Sequence, residues 1–279
     1  MSQRFGLHTS TAGALENAAD EAAAIGANAF QIFSSSPRMW RGTIPPKANI
    51  EALRRKRAEH DLTPLAIHGN YLINLASLDA EIRRKSIQAF RGEIARGLLI
   101  GAEYLVFHPG SFKDQSVEQA LAAVSSGIEE AARGLTGPLK LLIENTAGQG
   151  SALGSKLEEL AELRRLTEPR SPFEIGYCID TCHSFAAGFD LESRPFFDFV
   201  EKTLGWSRVP MLHANDSKGA RGSRLDRHEH IGRGQIGESG FRFLLTQPEL
   251  CDKTVSLETP AEDVSDDQRN LDALRSSSR

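Results

Sequence analysis

Short apolar runs alternate with amphipathic stretches along almost the whole chain. The runs Phe5–His8, Ala29–Phe33, Pro64–His68, Tyr104–His108, Lys140–Glu144, Ile175–Asp180, Val209–His213 and Thr254–Glu258 read as strands. Between them, apolar positions recur with helical spacing over Thr11–Ile25, Pro46–His60, Asp79–Leu99, Ser116–Arg133, Lys156–Leu166, Pro195–Leu204, Glu238–Leu245 and Ser265–Leu274. Thr9, Ser10 and Thr11 offer caps for the first helix, a Pro pair marks the entry of the second, and Asp79 and Gly101 bracket the third. The tail from Ser276 to Arg279 is expected to fray. Eight strand–helix units imply a closed parallel TIM barrel with right-handed crossovers, an α/β fold. The competing architecture, an open doubly wound sheet, requires a Gly-rich phosphate turn after an early strand, and Gly6 alone does not supply one. No compositional break marks a linker, so residues 1–279 are read as one catalytic domain.

Many of the strands end on a side chain able to bind a metal: His68, His108, Glu144, Asp180, His213 and Glu258. His183 lies one helical turn beyond Asp180. Asp226 and His228 are two apart, so an extended loop points both the same way. A barrel gathers its strand ends on one face, so these nine residues converge from distant parts of the chain. Carboxylates and histidines are poor strand formers and costly to bury unpaired. Their repetition at one end of successive strands therefore points to a shared partner. A catalytic zinc takes three protein ligands plus water, so nine ligands suit three ions, with a carboxylate able to bridge two. Imidazole mixed with carboxylate favours zinc and leaves manganese, iron and cobalt open. His60 reads as a helix-end histidine, His230 as an orienting loop residue, and His8 as a pocket residue that orients a ligand.

Bulk properties modify this picture only slightly. The 279 residues, 40% hydrophobic and 25% charged, suit a soluble globular protein. The net charge of −4 does not advertise a nucleic-acid binder, but divalent ions in a carboxylate-rich site would reverse the local sign. Three cysteines, an odd number in a chain too long to need disulfides, point to a reducing compartment. Cys178 and Cys182 are read as buried thiols. No signal core or membrane span is found, and a cytoplasmic protein is expected.

Longer strings carry a family resemblance. His68-Gly69-Asn70-Tyr71-Leu72-Ile73-Asn74-Leu75-Ala76, Cys178-Ile179-Asp180-Thr181-Cys182-His183 and His213-Ala214-Asn215-Asp216-Ser217-Lys218 resemble signatures of the endonuclease IV (deoxyribonuclease IV) apurinic/apyrimidinic endonucleases. Asp226-Arg227-His228-Glu229-His230-Ile231-Gly232, His108-Pro109-Gly110-Ser111 and Glu144-Asn145-Thr146-Ala147-Gly148 fit as well. The similarity runs from His8 to Glu258.

The resemblance implies a three-zinc TIM barrel, with manganese an option at one or more sites. His68, His108 and Glu144 would hold the first ion. Glu144, Asp180, His213 and Glu258 would hold the second, and His183, Asp226 and His228 the third. It implies cleavage of DNA 5′ to an abasic site, leaving a 3′-hydroxyl and a 5′ deoxyribose phosphate, together with trimming of blocked 3′ ends. Glu144 and Glu258 are the catalytic carboxylates in this reading. The partner is double-stranded DNA carrying those lesions, with no membrane or obligate protein partner, and a monomer is expected. Arg38, Tyr71 and Leu72 match the positions that this family inserts into DNA. Lys218, Arg221, Arg224 and Arg227 give the loop after the seventh strand a positive charge for phosphates. Ser34-Ser35-Ser36-Pro37 departs from the family, where bacterial members carry amide side chains. The main rival is a sugar isomerase or epimerase using one ion on Glu144, Asp180, His213 and Glu258. A non-catalytic DNA-damage binder is the other, and its mark would be a decayed ligand set.

Overall fold

Eight parallel strands close into a barrel in the order β1-β10-β7-β6-β5-β4-β3-β2. They are β1 (Arg4–His8), β2 (Ala29–Phe33), β3 (Leu65–His68), β4 (Tyr104–Phe107), β5 (Lys140–Glu144), β6 (Ile175–Asp180), β7 (Met211–His213) and β10 (Thr254–Leu257). The computed structural model describes residues 3–261 and 263–279, without the side chain of Val264. The helices α1 (Asn17–Ala24), α2 (Lys47–Glu59), α3 (Ala80–Ile100), α4 (Val117–Ala132), α5 (Leu157–Thr167), α6 (Thr181–Ala187), α7 (Arg194–Thr203), α8 (Gly237–Leu245) and α9 (Val264–Ser277) connect them. Two short strands, β8 (Asp216–Ser217) and β9 (His228–Glu229), form an antiparallel pair above β7. The TIM barrel expected from the alternation of elements is the fold observed.

The barrel interior explains why distant donors meet. Ala66, Val106, Leu142, Cys178 and Met211 form a small apolar cluster separate from the larger core under the helices. Side chains alternate across a strand, so residues two apart share a face. His68, His108, Glu144, Asp180 and His213 each lie two residues beyond a member of that cluster, and therefore continue the same inward-facing rows. Their neighbours Ile67, Phe107, Ile143, Ile179 and Leu212 turn outward into the helix-facing core. Apolar interior residues fill the barrel below, and the next inward layer is polar.

Helix ends follow the local chemistry in several places. The Asp79 side chain accepts from the backbone N–H groups of Glu81 and Ile82, and Gly101 closes α3 at φ 80°. Ser116 and Gln119 form a reciprocal cap on α4. Other expectations need correction. The first helix begins at Asn17 rather than Thr11, because Gly13 at φ 80° breaks the turn. Thr9, Ser10 and Thr11 line a cavity instead of capping it. The C-terminal helix runs to Ser277 instead of fraying; Ser277 is buried and Arg275 donates to the Gly26 carbonyl. Finally, the turn expected to carry His183 beyond Asp180 extends into a full helix, α6, in addition to the helix expected near Pro195–Leu204.

Candidate metal centre

Glu144 is fully buried at the end of β5 and faces four imidazoles. Its carboxylate lies 2.8 Å from His213 Nδ1, 3.2 Å from His68 Nε2, and 3.6 Å from both His108 Nε2 and His183 Nδ1. Five rings follow one another in the order His213, His68, His108, His183, His228, with successive centroids 5.9, 5.3, 5.6 and 5.5 Å apart. Three sets of donor atoms fall within 4.8 Å of one another: His68, His108 and Glu144; Glu144, Asp180, His213 and Glu258; and His183, Asp226 and His228. Glu144 belongs to two of these sets. The structure thus brings together all nine side chains singled out in the sequence.

Several rings are held at their Nδ1 edge by backbone carbonyls. His68 Nδ1 donates to Gly69 O (2.9 Å), His183 Nδ1 to Asn145 O (3.0 Å) and His228 Nδ1 to Glu258 O (3.1 Å). That fixes the tautomer and presents Nε2 to the site. His183 Nε2 lies 3.2 Å from Asp226 Oδ1. Asp180 sits at the end of β6, where its Oδ1 caps α6 by accepting from His183 N at 2.7 Å. One carboxylate therefore sets the turn that brings His183 back over the barrel mouth.

The charges are strongly coupled. Burial opposes ionisation of Glu144, yet attraction to His213 and His108 holds its carboxyl well below the usual range. Glu258 is likewise held low against its burial, chiefly by His213 and by a hydrogen bond with His8. Burial opposes protonation of His183, but Asp180 and Asp226 raise it to about 10. His213 is raised well above its ordinary value against burial, by Cys178, Glu258 and Glu144. Burial pushes the Cys178 thiol up to about 12, so near neutrality the two carboxylates supply that stabilisation.

The donor set suits divalent ions. A packed array of imidazoles and carboxylates is the ligand chemistry of zinc and its neighbours. Two buried imidazole nitrogens, His108 Nδ1 and His228 Nε2, lack a hydrogen-bond partner, although Asp226 Oδ1 lies 3.4 Å from the latter. An unsatisfied buried polar atom costs about 1–3 kcal/mol, so a ligand that engages it is favoured. Cys182 also falls within 4.8 Å of Asp180 and His228. Burial pushes its thiol up to about 12 and its Sγ donates to Arg227 O, which makes it a poor competitor for a cation.

A cavity of about 560 Å³ opens beside this array, lined by His8, Phe33, Tyr71, His228 and Glu258 among others. Tyr71 is 64% exposed and packs edge-on against Phe33 at 5.2 Å, so an aromatic side chain stands at the rim. Leu72 beside it is half-buried, and Arg38 is exposed on the facing loop. The loop after β7 is less uniformly available. Arg221 pairs with Asp190 at 3.2 Å and lines a different cavity, and Lys218 lies 3.9 Å from Glu229. Arg224 and Arg227 are exposed, with no carboxylate within 4.0 Å among the described residues. His8 lies 3.8 Å from Glu258 and lines the cavity. His230 accepts from Asn270, whose other amide atom accepts from Ile231 N.

Sequence reasoning missed the polar residues that orient the donors. Gln31 donates to Glu258 Oε1 (2.5 Å) and accepts from His213 Nε2 (2.9 Å). Asn145 Oδ1 accepts from Asp180 N, and Asn215 Nδ2 donates to Asp180 Oδ2 at 2.6 Å. A polar residue inside an apolar strand was the available signal for Gln31. The two asparagines lie inside strings that carry the family resemblance, but nothing in those strings marks their orienting role.

Comparison with known proteins agrees with this geometry. Residues 19–277 match the model of the xylose isomerase-like TIM barrel family. A probable endonuclease 4 from Solibacter usitatus is 51% identical over 278 residues, covering 98% of this chain and 96% of that protein. An endonuclease 4 from Thermus thermophilus is 39% identical over 277 residues, covering 98% and 97%. The crystal structure of endonuclease IV from another strain of Thermus thermophilus superposes with a TM-score of 0.86 at 38% identity, covering 98% of each chain. With its barrel, its donor array and full-length relatives at this level of identity, the chain belongs to the endonuclease IV family.

Proposed function

We propose that this protein is a metal-dependent DNA repair endonuclease that hydrolyses the backbone 5′ to abasic sites, leaving a 3′-hydroxyl and a 5′ deoxyribose phosphate, and that it trims blocked 3′ ends. The observation that carries the reading is the buried Glu144 carboxylate shared by two donor sets within a run of five histidines. His68, His108 and Glu144 would hold one zinc ion, Glu144, Asp180, His213 and Glu258 a second, and His183, Asp226 and His228 a third, with manganese an option at one or more sites. Such ions, when bound, supply water activation near neutral pH and charge stabilisation on the phosphate.

The protein's own groups bind, orient and exclude. Glu258 borders the cavity, fixed by Gln31, and is placed to accept a proton from an attacking water. Tyr71 and Leu72 stand where an inserted side chain would kink a duplex, and Arg38 suits the minor groove. Extruding a nucleotide is cheapest where the base is already missing, which matches the cavity to an abasic sugar. Arg224 and Arg227 offer charge to the backbone phosphates, aided by Lys218 and Arg221 once their carboxylate partners are exchanged for phosphate. The whole chain acts as one catalytic unit, monomeric and cytoplasmic; no helix among the described residues is long and apolar enough to cross a membrane.

A single-ion sugar isomerase would use Glu144, Asp180, His213 and Glu258 and leave five clustered donors without a role. End-group analysis of an incised abasic duplex, with metal content measured alongside, tests the choice. Three ions per chain and a 3′-hydroxyl product are expected. One ion per chain with intact DNA would reject the nuclease.

A further inference from the structure

A second cavity, of about 330 Å³, lies away from the donor array, between the loop after β2 and the outer face of α3. Trp40, Arg41, Arg84, Lys85, Gln88 and Arg96 line it. Four of these six are cations, and no carboxylate among the described residues lines the cavity. Lys85 is paired with Glu81 at 2.7 Å, and Arg96 with the buried Glu93 at 3.0 Å. Arg41 and Arg84 are exposed and have no carboxylate within 4.0 Å among the described residues. Arg96 forms the floor. A Cβ on Gly42 would come within 2.7 Å of its Cζ, and one on Gly92 within 3.0 Å of its Nη1. Two glycines thus leave the guanidinium room to lie under the cleft, with Arg41 and Arg84 above it.

The cleft is continuous with the lesion-facing surface. Arg38 belongs to the same loop as Trp40 and Arg41. Asn70 Nδ2 donates to Met39 O at 2.5 Å, which ties that loop to the one bearing Tyr71 and Leu72. With Lys85 and Arg96 paired, Arg41 and Arg84 carry the net positive charge of the cleft, and such local charge on a chain of net charge −4 attracts an anion. Backbone phosphate is the anion that a surface continuous with the lesion-facing loops meets first.

We propose that this cleft binds the phosphate backbone of the duplex flanking the damaged nucleotide; the proposal rests on the DNA-directed reading of the main site. Arg41 and Arg84 contact phosphate, Arg96, balanced by Glu93, forms the floor and supplies N–H groups, and Trp40 forms a wall. Such contacts position the duplex without reading its sequence.

The test measures binding of abasic-analogue duplexes to the metal-loaded protein, comparing the parent, R41A/R84A and R41K/R84K across a salt series. Both arginines are exposed, so folding is retained in the variants. On a long duplex, R41A/R84A should bind about tenfold more weakly, and its log Kd against log salt should lose about 2 in slope. R41K/R84K should keep most of the affinity and the slope. On a duplex trimmed to the lesion's immediate neighbours, parent and R41A/R84A should bind alike. Equal affinity and slope on the long duplex would overturn the proposal, as would an equal loss on both duplexes. Inorganic phosphate binding that is lost in R41A/R84A while duplex affinity is unchanged would assign the cleft to a free anion and overturn it. Failure of the parent itself to bind the abasic duplex removes the DNA reading as a whole; binding by the parent with an unaltered variant removes this proposal alone.

Discussion

His213 uses both ring nitrogens as donors, giving Nδ1–H to Glu144 Oε1 at 2.8 Å and Nε2–H to Gln31 Oε1 at 2.9 Å. The ring is therefore an imidazolium balanced by the buried carboxylate, and the two residues form one electrostatic unit. Glu144→Gln keeps the volume but removes a buried charge that faces four imidazoles. Metal content should fall, and incision of an abasic duplex should drop by at least about a thousandfold. His108→Ala should have a similar effect, because it removes a donor of the same set. Near-normal turnover with full metal content in either variant would show that the cluster is assigned wrongly.

Metal uptake should release protons. His183, raised to about 10, and His213, raised well above its ordinary value, are protonated at neutral pH in the metal-free chain. An ion must displace those protons, so its affinity should weaken as pH falls. Calorimetric titration of the chelated protein in two buffers of different ionisation enthalpy should give different apparent heats near pH 7. Identical heats would contradict the protonation state read from the hydrogen bonds. Prolonged chelation should also abolish incision, and it should return on re-addition of metal.

The same groups set the pH dependence of the metal-free fold. His183 is raised above its unfolded value of 6.5, so its stabilisation is complete below that value and is lost as pH rises through about 10. Glu144 and Glu258 are depressed below 4.5, so theirs is present above that value and is lost as pH falls below it. Thermal unfolding of the chelated protein should therefore peak between about pH 5 and 6.5, and fall on both sides. A midpoint that climbs steadily to pH 9 would mean that these pairs contribute nothing to stability.

The barrel and its donors were legible because both rest on periodicity. An inward row in which Leu142 precedes Glu144, or Met211 precedes His213, can be read from alternation alone, and strand ends of a parallel barrel share a face. The orienting layer was not legible, because an asparagine such as Asn145 or Asn215 acts through contacts 35 residues away in sequence, at Asp180. The start of α1 was misplaced for a local reason: Gly13 sits within an Ala-rich helical pattern and turns the chain through a positive φ. The helical end of α9 depends on Arg275 reaching Gly26, a contact that no local pattern records.

Ser34 and Ser35 have a structural partner. Arg96 Nε donates to Ser34 Oγ at 2.7 Å and its Nη2 to Ser35 Oγ at 3.3 Å, while Ser34 donates to Glu93. The Arg96–Glu93 pair is buried, with side chains 7% and 3% exposed. Glu93→Ala would leave the guanidinium buried without its counter-charge. A loss of about 3–5 kcal/mol in urea unfolding is expected, larger than for Ser34→Ala, which removes only a neutral hydroxyl. Equal, small losses for the two would show that the pair is solvated in solution.

Asp216 is buried, and its carboxylate accepts from a ring of backbone N–H groups: Gly232 (3.0 Å), Gly234 (2.9 Å) and Ile236 (2.9 Å), with Gly237 at 3.2 Å. An ionised carboxylate in such a nest is worth more than a neutral acceptor, because each bond is charge-assisted. The fit is close: a Cβ on Gly234 would come within 2.4 Å of Asp216 Oδ1. The same residue opens β8, whose next residue, Ser217, pairs with His228 in β9. Asp216 therefore holds the segment that carries a donor of the His183–Asp226–His228 set, with no hydrogen bond or ion pair to that set among the described residues. Asp216→Ala should lower the unfolding midpoint and cost about 3–5 kcal/mol, since it orphans several buried N–H groups at once. Asp216→Asn should recover part of the stability but not the anionic character of the nest. On the three-ion reading proposed above, the metal content of both variants should fall short of the parent's by one ion, with the sets built on His68, His108, Asp180 and His213 still loaded. Loss of all metal together, or of none, would show that the β8–β9 pair does not position His228 independently of the rest of the array.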